Sequence, residues 1–351
     1  MAELSRALAE LRSADEGAFG GKSSALGELI AAGIPVPPGF AVSTAAYRAF
    51  VDAAGLERMI AAAMAGLDPA DVDAVGAASH RIGEAMRSAP VPAEVRDEIA
   101  RRYAELGHAE PPVAVRSSAL GEDSREATFA GQQETYLWVR GADHVCDAVR
   151  DCWVSLYGPP AITYRARLEA PAETPAMGVA VQLMVDAEVS GVMFTCNPVS
   201  GDPSMVAINA SWGLGLAVVG GEVTPDDYLV SKVTREVVRE QVHPKQVEYV
   251  PDEAGRGAVR RVVPEERRNL ACLDAGALEA LVEAGRRVER HFGSAQDVEW
   301  AIARGGELPS SLYVLQSRPV TAVGGRRRTA EPASAMSLLM RTFGAGGQAS
   351  A

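Results

Sequence analysis

Three sets of residues in this sequence could do chemistry on a phosphate. The first is Lys22, in EGAFGGKSSALGELI. Paired glycines let backbone N–H groups approach an anion, and a helix opening just after them adds partial positive charge at its N-terminus. A Walker A loop needs glycine six residues before the lysine, where this chain has Glu16. The pattern is therefore a different phosphate loop, or a glycine turn with a solvated lysine. The second set is Arg116 with the segment after it, in VAVRSSALGEDSREATFAGQQETYL. An arginine directly after a buried strand is well held, and its planar fork can grip a phosphate at two points. Residues 117–132 carry serines, Thr128 and Gly131 but few large side chains, which suits a loop that closes over polyphosphate and excludes water. An ion pair of Arg116 with Glu122 or Asp123 accounts for the same residues. The third set is Asp297 and Glu299 in DVEW with Gln316 and Arg318 in LQSRP. Alternate residues of a strand share a face, so a hairpin of these two strands would bring carboxylate, amide oxygen and guanidinium together. Carboxylate plus amide oxygen suits Mg²⁺, which takes its other ligands from water and phosphates. Arg318 could then hold a transferring group. A cross-strand salt bridge on the surface fits the same residues.

The elements that must position these residues can be read in outline. Residues 23–32 carry Leu26, Leu29 and Ile30 at helical spacing, and Gly33 with prolines 35, 37 and 38 ends that helix. Residues 44–107 keep a helical period broken by Pro69, Pro90 and Pro92, which predicts three or four helices. Strands are expected at 113–115 and 133–139, and a helix at 142–157. The stretch 178–195 reads as two strands joined by a polar turn, with Gly191 beyond it. Strands and turns continue through 250, an amphipathic helix spans 277–292, and strands at 297–303 and 312–316 flank the turn RGGELPSS. A helix-rich first half and a strand-rich second half make an α+β chain with no internal repeat. Residues 322–335 look like a linker, and MSLLMRTF is a short apolar patch on a polar tail.

Composition narrows the function classes. With 351 residues, the chain can form two lobes or domains. Its net charge of −12 repels nucleic-acid backbones and anionic membranes, and 5% aromatic residues give stacking little to work with. Neither nucleic acid nor membrane is expected as a partner. Lysine occurs only at 22, 232 and 245, as a GC-rich coding sequence would produce. Cys146, Cys152, Cys196 and Cys272 have neither zinc spacing nor the look of a secreted disulfide framework. The N-terminus does not read as a signal peptide and no apolar run approaches 18 residues, so a cytoplasmic location is expected.

Taken together, the segments GGKSSALGELIAAGIPVPPGF, VAVRSSALGEDSREATFAGQQETYLWVRG, GVAVQLMVDAEVSGVMFTCNPVSGD, ASWGLG with EVTPDDYLV, and DVEWAI with LYVLQSRPVT resemble the ATP-binding domain of phosphoenolpyruvate synthase, pyruvate phosphate dikinase and rifampin phosphotransferase. They run in family order from about residue 17 to 321. The resemblance implies an ATP-grasp-like fold with two lobes clasping the nucleotide: an N-terminal lobe at 1–177, a C-terminal lobe at 178–321 and a tail at 322–351. It implies that Lys22 and Arg116 contact the phosphates, that Gly131 and Thr135 line the loop over them, and that Gln182 sits by the adenine. Met184 and Val185 would be the strand backbone that reads the adenine edge. Glu299 and Gln316 would hold Mg²⁺ with Asp297 beside them, and Arg318 would stabilise the transferring phosphoryl group.

Departures from the family pattern carry information too. Leu216 stands where family members often have Glu after GLG, a loss that Glu222 could offset. Cys196 replaces a usual alanine in FTCNP and reads as a small buried residue. Family enzymes pass phosphate to a histidine in a TSH-like motif on a swivelling domain. His80, His108, His144, His243 and His291 stand in no such context, and no acceptor-binding domain is expected within this length. The chain is thus similar to the small ATP-cleaving subunit of split aryl-phosphate synthases such as phenylphosphate synthase and 4-cresol-phosphorylating enzymes. That similarity implies a larger partner subunit with the phosphohistidine domain and the acceptor site, a phenol or aryl alcohol as acceptor, AMP and phosphate as by-products, and partner docking by the tail. A stand-alone antibiotic or small-molecule phosphotransferase, pyruvate phosphorylation with a partner, and a non-catalytic nucleotide sensor are the competing readings.

Overall fold

The computed structural model describes residues 2–107, 110–119, 134–167, 175–252 and 257–320. They mix helix and sheet, as an α+β reading requires, and fall into two compact units. The first comprises Met1–Gly27 and Pro38–Met184, the second Glu28–Pro37 and the chain from Val185 onward. The division thus runs after Met184 and assigns residues 28–37 to the second unit.

In chain order, the first unit holds β1 (Ser5–Ala7), α1 (Glu16–Phe19), the start of α2 (Gly21–Ala31), β2 (Gly39–Val42), α3 (Thr44–Ala53), α4 (Glu57–Met64), α5 (Val72–Ser88), α6 (Ala93–Glu105), β3 (Val113–Ala119), β4 (Thr135–Val139), α7 (Ala142–Ser155), α8 (Pro159–Arg167) and β5 (Met177–Leu183). The stretch 44–107 therefore makes four helices. Ser43 and Asp71 start α3 and α5 by accepting from the amides of Ala46 and Ala74, the ordinary N-cap arrangement. The strands form one antiparallel sheet in the order β1-β2-β5-β3-β4. Alternation splits its faces. Phe40, Val42, Val113, Val115, Val179 and Val181 point into a core built with residues of α3 to α7. Trp153 anchors that core, stacked on Phe50 at 5.3 Å and met edge-on by Tyr47 at 5.9 Å.

The second unit holds β6 (Ala187–Phe194), β7 (Met205–Trp212), α9 (Leu216–Val219), β8 (Asp226–Ser231), β9 (Val237–Gln241), β10 (Val247–Pro251), β11 (Ala258–Val262), α10 (Glu265–Arg268), α11 (Ala275–Phe292), β12 (Gln296–Ala303) and β13 (Leu312–Pro319). Six strands form an antiparallel sheet in the order β13-β12-β6-β7-β8-β9, and β10 pairs with β11 separately. Helix α11 begins on Asp274, which caps the Ala277 amide, and ends on left-handed Gly293. Its Gly285 lies against Met193 and Thr195, so α11 covers the sheet face that also carries Val298 and Trp300. The opposite face carries the buried cluster Val192, Phe194, Ala207 and Leu229. In the same unit the Arg287 guanidinium donates to the Gly33 carbonyl at 2.6 Å, fixing the turn after α2. Strands β5 and β6, consecutive in sequence, belong to different sheets.

Candidate active site

Lys22 is set by the glycines before it. Gly20 takes φ +83°, and a Cβ there would lie 1.9 Å from the Ser118 carbonyl oxygen. Gly178 on β5 is needed just as strictly, because its Cβ would fall 2.2 Å from the Phe19 carbonyl. The turn before α2 is thereby pressed onto the ends of β3 and β5. The Ser23 amide donates to Ser118 Oγ at 3.2 Å, and Lys22 Nζ donates to the Ser117 carbonyl at 2.9 Å. Lys22 is 3% exposed, so it is not a solvated lysine. Gly20→Ala is expected to cost roughly 1–3 kcal/mol from backbone strain alone and to displace Lys22; a lowered melting temperature with weakened nucleotide binding checks it.

Arg116 lies on β3 opposite Thr135 of β4 on one side and Ala180 of β5 on the other. Ala114, one step along the same face, is opposite Gln182. Arg116, Thr135 and Gln182 therefore share the sheet face that looks away from the helical core, and Lys22 is bonded to the backbone of β3 beside Arg116. Gln182 is buried and Thr135 exposed. Met184 and Val185 come after β5 has ended, and the Met184 amide already donates to the Pro112 carbonyl at 2.9 Å. Only their backbone beyond that bond is left to read an adenine edge. Gly131, Glu122 and Asp123 lie outside the described residues, as does the 322–351 tail.

In the second unit the hairpin expected from DVEW and LQSRP is present. β12 and β13 pair in antiparallel register, with Asp297 opposite Arg318 and Glu299 opposite Gln316. All four stand on the face away from α11. Arg318 Nε donates to Asp297 Oδ2 at 3.0 Å, and its Nη2 lies 2.9 Å from the same oxygen. Their side chains are 16% and 6% exposed, so this is a mostly buried pair and not a surface salt bridge. Directly opposite residues bring their Cβ atoms to about 5 Å, so Glu299 and Gln316 can present a carboxylate and an amide oxygen to one ion. That hard-oxygen pair fits Mg²⁺ completed by water and phosphate. Among the described residues no cluster of three or more His, Cys, Asp or Glu could hold a metal alone.

Sequence reasoning missed further polar residues on this face. Val192 pairs with Glu299, Asn209 with Val192, and Asp227 with Asn209, so one row runs Gln316, Glu299, Val192, Asn209, Asp227 across β13, β12, β6, β7 and β8. Asn209 Nδ2 faces Asp227 Oδ2 at 3.4 Å, and Arg239 Nε donates to Asp227 Oδ1 at 2.8 Å. The signal was present in AINASW, where polar residues recur at alternate positions of an otherwise apolar strand.

Other expected features are resolved more simply. Glu222 accepts from the Tyr249 hydroxyl at 2.6 Å and Arg260 Nε at 2.8 Å, bonds that hold its carboxyl below its usual range. It is committed there and does not stand in for Leu216. Cys196 is buried, and burial pushes its thiol up. The same cause raises Cys146, Cys152 and Cys272. A thiol reagent at neutral pH is therefore expected to label none of the four in the folded chain and all four in denaturant. No helix among the described residues is long and apolar enough to cross a membrane.

Comparison with known proteins decides the family. The model described as "Pyruvate phosphate dikinase, AMP/ATP-binding domain" matches residues 16–337. This chain belongs to that family. The AMP/ATP-binding domain thus covers both units, including the Lys22 turn and the β12–β13 hairpin. A probable phosphoenolpyruvate synthase of Methanothermobacter thermautotrophicus is 42% identical over 340 residues, covering 96% of this chain and 48% of that protein. A probable phosphoenolpyruvate synthase of Methanocaldococcus jannaschii is 41% identical over 90% of this chain and 26% of its own length. The phosphoenolpyruvate synthase of Pyrococcus furiosus is 38% identical over 90% of this chain and 43% of its own length. The chain spans half or less of the length of these relatives. A solved Pyrococcus horikoshii structure superposes at a TM-score of 0.31 with 13% identity, over 69% of this chain and 87% of that one, too weak a likeness to bear on the fold.

Proposed function

We propose that this chain is the ATP-binding and ATP-cleaving subunit of a split dikinase-type phosphotransferase with an ATP-grasp-like, two-lobed fold. The observation that carries the reading is the β12–β13 register, which sets Glu299 beside Gln316 and Asp297 beside Arg318 on one sheet face. Lys22, bonded to the Ser117 carbonyl, and its neighbour Arg116 on β3 supply the cations for a polyphosphate. Phosphoryl transfer depends mainly on positioning and charge neutralisation, and these residue types meet both needs. Glu299 and Gln316 would hold Mg²⁺, which when bound neutralises charge on the phosphate oxygens. Family membership and relatives named phosphoenolpyruvate synthase support dikinase-type phosphotransfer. In our reading the phosphate goes to a histidine on a larger partner subunit and then to a small acceptor there, a phenol or aryl alcohol. Three of the four described histidines are engaged locally: His243 Nδ1 is 2.8 Å from the Pro225 carbonyl, His144 Nδ1 is 2.8 Å from the Arg140 carbonyl, and His291 Nε2 is 3.1 Å from Glu28, while His80 is exposed on α5.

The test is to mix the chain with a protein carrying a phosphohistidine domain and follow ATP by ³¹P NMR with phenolic acceptors and with pyruvate. AMP and aryl phosphate are expected only when both proteins are present. Phosphoenolpyruvate as product would keep the dikinase and replace the acceptor. ADP from the isolated chain would favour a stand-alone kinase.

A further inference from the structure

Strand β7 carries two buried polar side chains that the proposed function has not used. Asn209 is 3% exposed and Ser211 1%. Two residues apart on a strand, they stand on one face, the face of Glu299 and Gln316. Their neighbours Ile208, Ala210 and Trp212 are apolar and point the other way. Neither Asn209 Oδ1 nor Ser211 Oγ has a hydrogen-bond partner among the described residues. Ser190, directly opposite Ser211, spends its hydroxyl on the Gly213 carbonyl at 2.6 Å.

The orientation of Asn209 follows from its neighbour. Asp227 offers only acceptors, so the Asn209 amide nitrogen must face it and the amide oxygen must face away. Arg239 donates to the other oxygen of Asp227 and holds that carboxylate in place. The result is a fixed, buried acceptor two strands from Glu299, at a Cα separation of roughly 10 Å by strand spacing, with a hydroxyl one step along the same strand. A buried polar atom without a partner is costly, whereas an apolar residue of similar shape is not. Such atoms stay on a site face when a ligand completes them.

We infer that Asn209 and Ser211 are binding residues for the magnesium–nucleotide complex, taking hydrogen bonds from its O–H groups, either a metal-bound water or a ribose hydroxyl. The inference rests on the ATP-cleaving reading above. Asn209 Oδ1 accepts, and Ser211 Oγ either accepts or donates onward to a phosphate oxygen.

The experiment is calorimetric titration of the full chain with MgATP beside thermal melting. Ser211→Ala removes a hydroxyl that contributes nothing in the free protein, so its melting temperature is expected to stay level or rise. Its affinity for MgATP is expected to fall roughly three- to tenfold, the worth of one neutral hydrogen bond. Asn209→Leu is expected to weaken binding at least as much. If the partner is a ribose hydroxyl, wild type and variants bind the matching 2′- or 3′-deoxy nucleotide equally. If it is a metal-bound water, the gap closes when EDTA replaces Mg²⁺. Variants that bind MgATP as wild type does overturn the inference, as does a gap persisting in every arm. Wild type that fails to bind MgATP overturns the proposed function itself.

Discussion

Arg318→Ala is expected to lower ATP cleavage by roughly 10³-fold or more, the range found for an arginine that neutralises a transferring phosphoryl group. The expectation follows from how the guanidinium is held. Asp297 Oδ2 accepts from Nε at 3.0 Å and lies 2.9 Å from Nη2, so the buried ion pair holds the guanidinium in place on the strand. A group fixed in this way pays no reorganisation when charge develops on the substrate. The loss should therefore appear in kcat and much less in the affinity for ATP, since interactions made mainly in the transition state raise kcat. Arg318→Lys keeps the charge and loses the planar fork, so it should recover only part of the rate. The measurement is AMP release with the partner protein, beside ATP affinity of the chain alone. An Arg318→Ala variant that cleaves ATP at the wild-type rate would remove Arg318 from the chemistry and leave it a structural partner of Asp297.

The hairpin behind this prediction was legible in the sequence because its information is local. DVEW and LYVLQSRP alternate, and the turn between them is polar. The positions that share a face are fixed once the two segments are strands. Strands β5 and β6 show what local pattern does not carry. They read as two strands joined by a turn, yet they belong to different sheets, β5 between β2 and β3 and β6 between β7 and β12, because alternation says nothing about the partner. Strand β1, three residues long, and β11, exposed over most of its length, gave no apolar signal and went unread. Lys22 marks the same limit at the site. Its sequence context allowed a solvated lysine or a phosphate ligand. In the fold Lys22 is buried, and its ammonium donates to the Ser117 carbonyl, 95 residues further along the chain. Asn209 and Ser211 were visible as letters but not as a site, since their meaning depends on a register across five strands.

The largest stability effect should come from Asp226→Ala, expected to cost about 3–5 kcal/mol, the range for breaking a buried ion pair by removing one partner. Asp226 and Lys245 are both fully buried and paired through Asp226 Oδ1. The carboxylate does more than neutralise the lysine. It also accepts from the His243 amide at 3.0 Å and the Cys272 amide at 2.8 Å, so one side chain ties the start of β8 to the segments before β10 and before α11. Removing it strands a buried ammonium and two buried N–H groups at once. Lys245 Nζ would keep only the His243 carbonyl among the bonds it makes here, at 2.8 Å. Replacing both charges, as in Asp226→Leu with Lys245→Met, should restore part of the loss because no lone charge remains buried. Recovery should stay incomplete, since the amides of His243 and Cys272 still lack an acceptor. Urea unfolding midpoints of the three proteins decide the matter, and a double variant no more stable than Asp226→Ala would show that the amide bonds, not the ion pair, hold this corner. The corner also bears on the site. Asp227, the next residue, carries the Asn209 contact on the opposite face of β8, so a loosened Asp226 should weaken MgATP binding as well, by less than Ser211→Ala does.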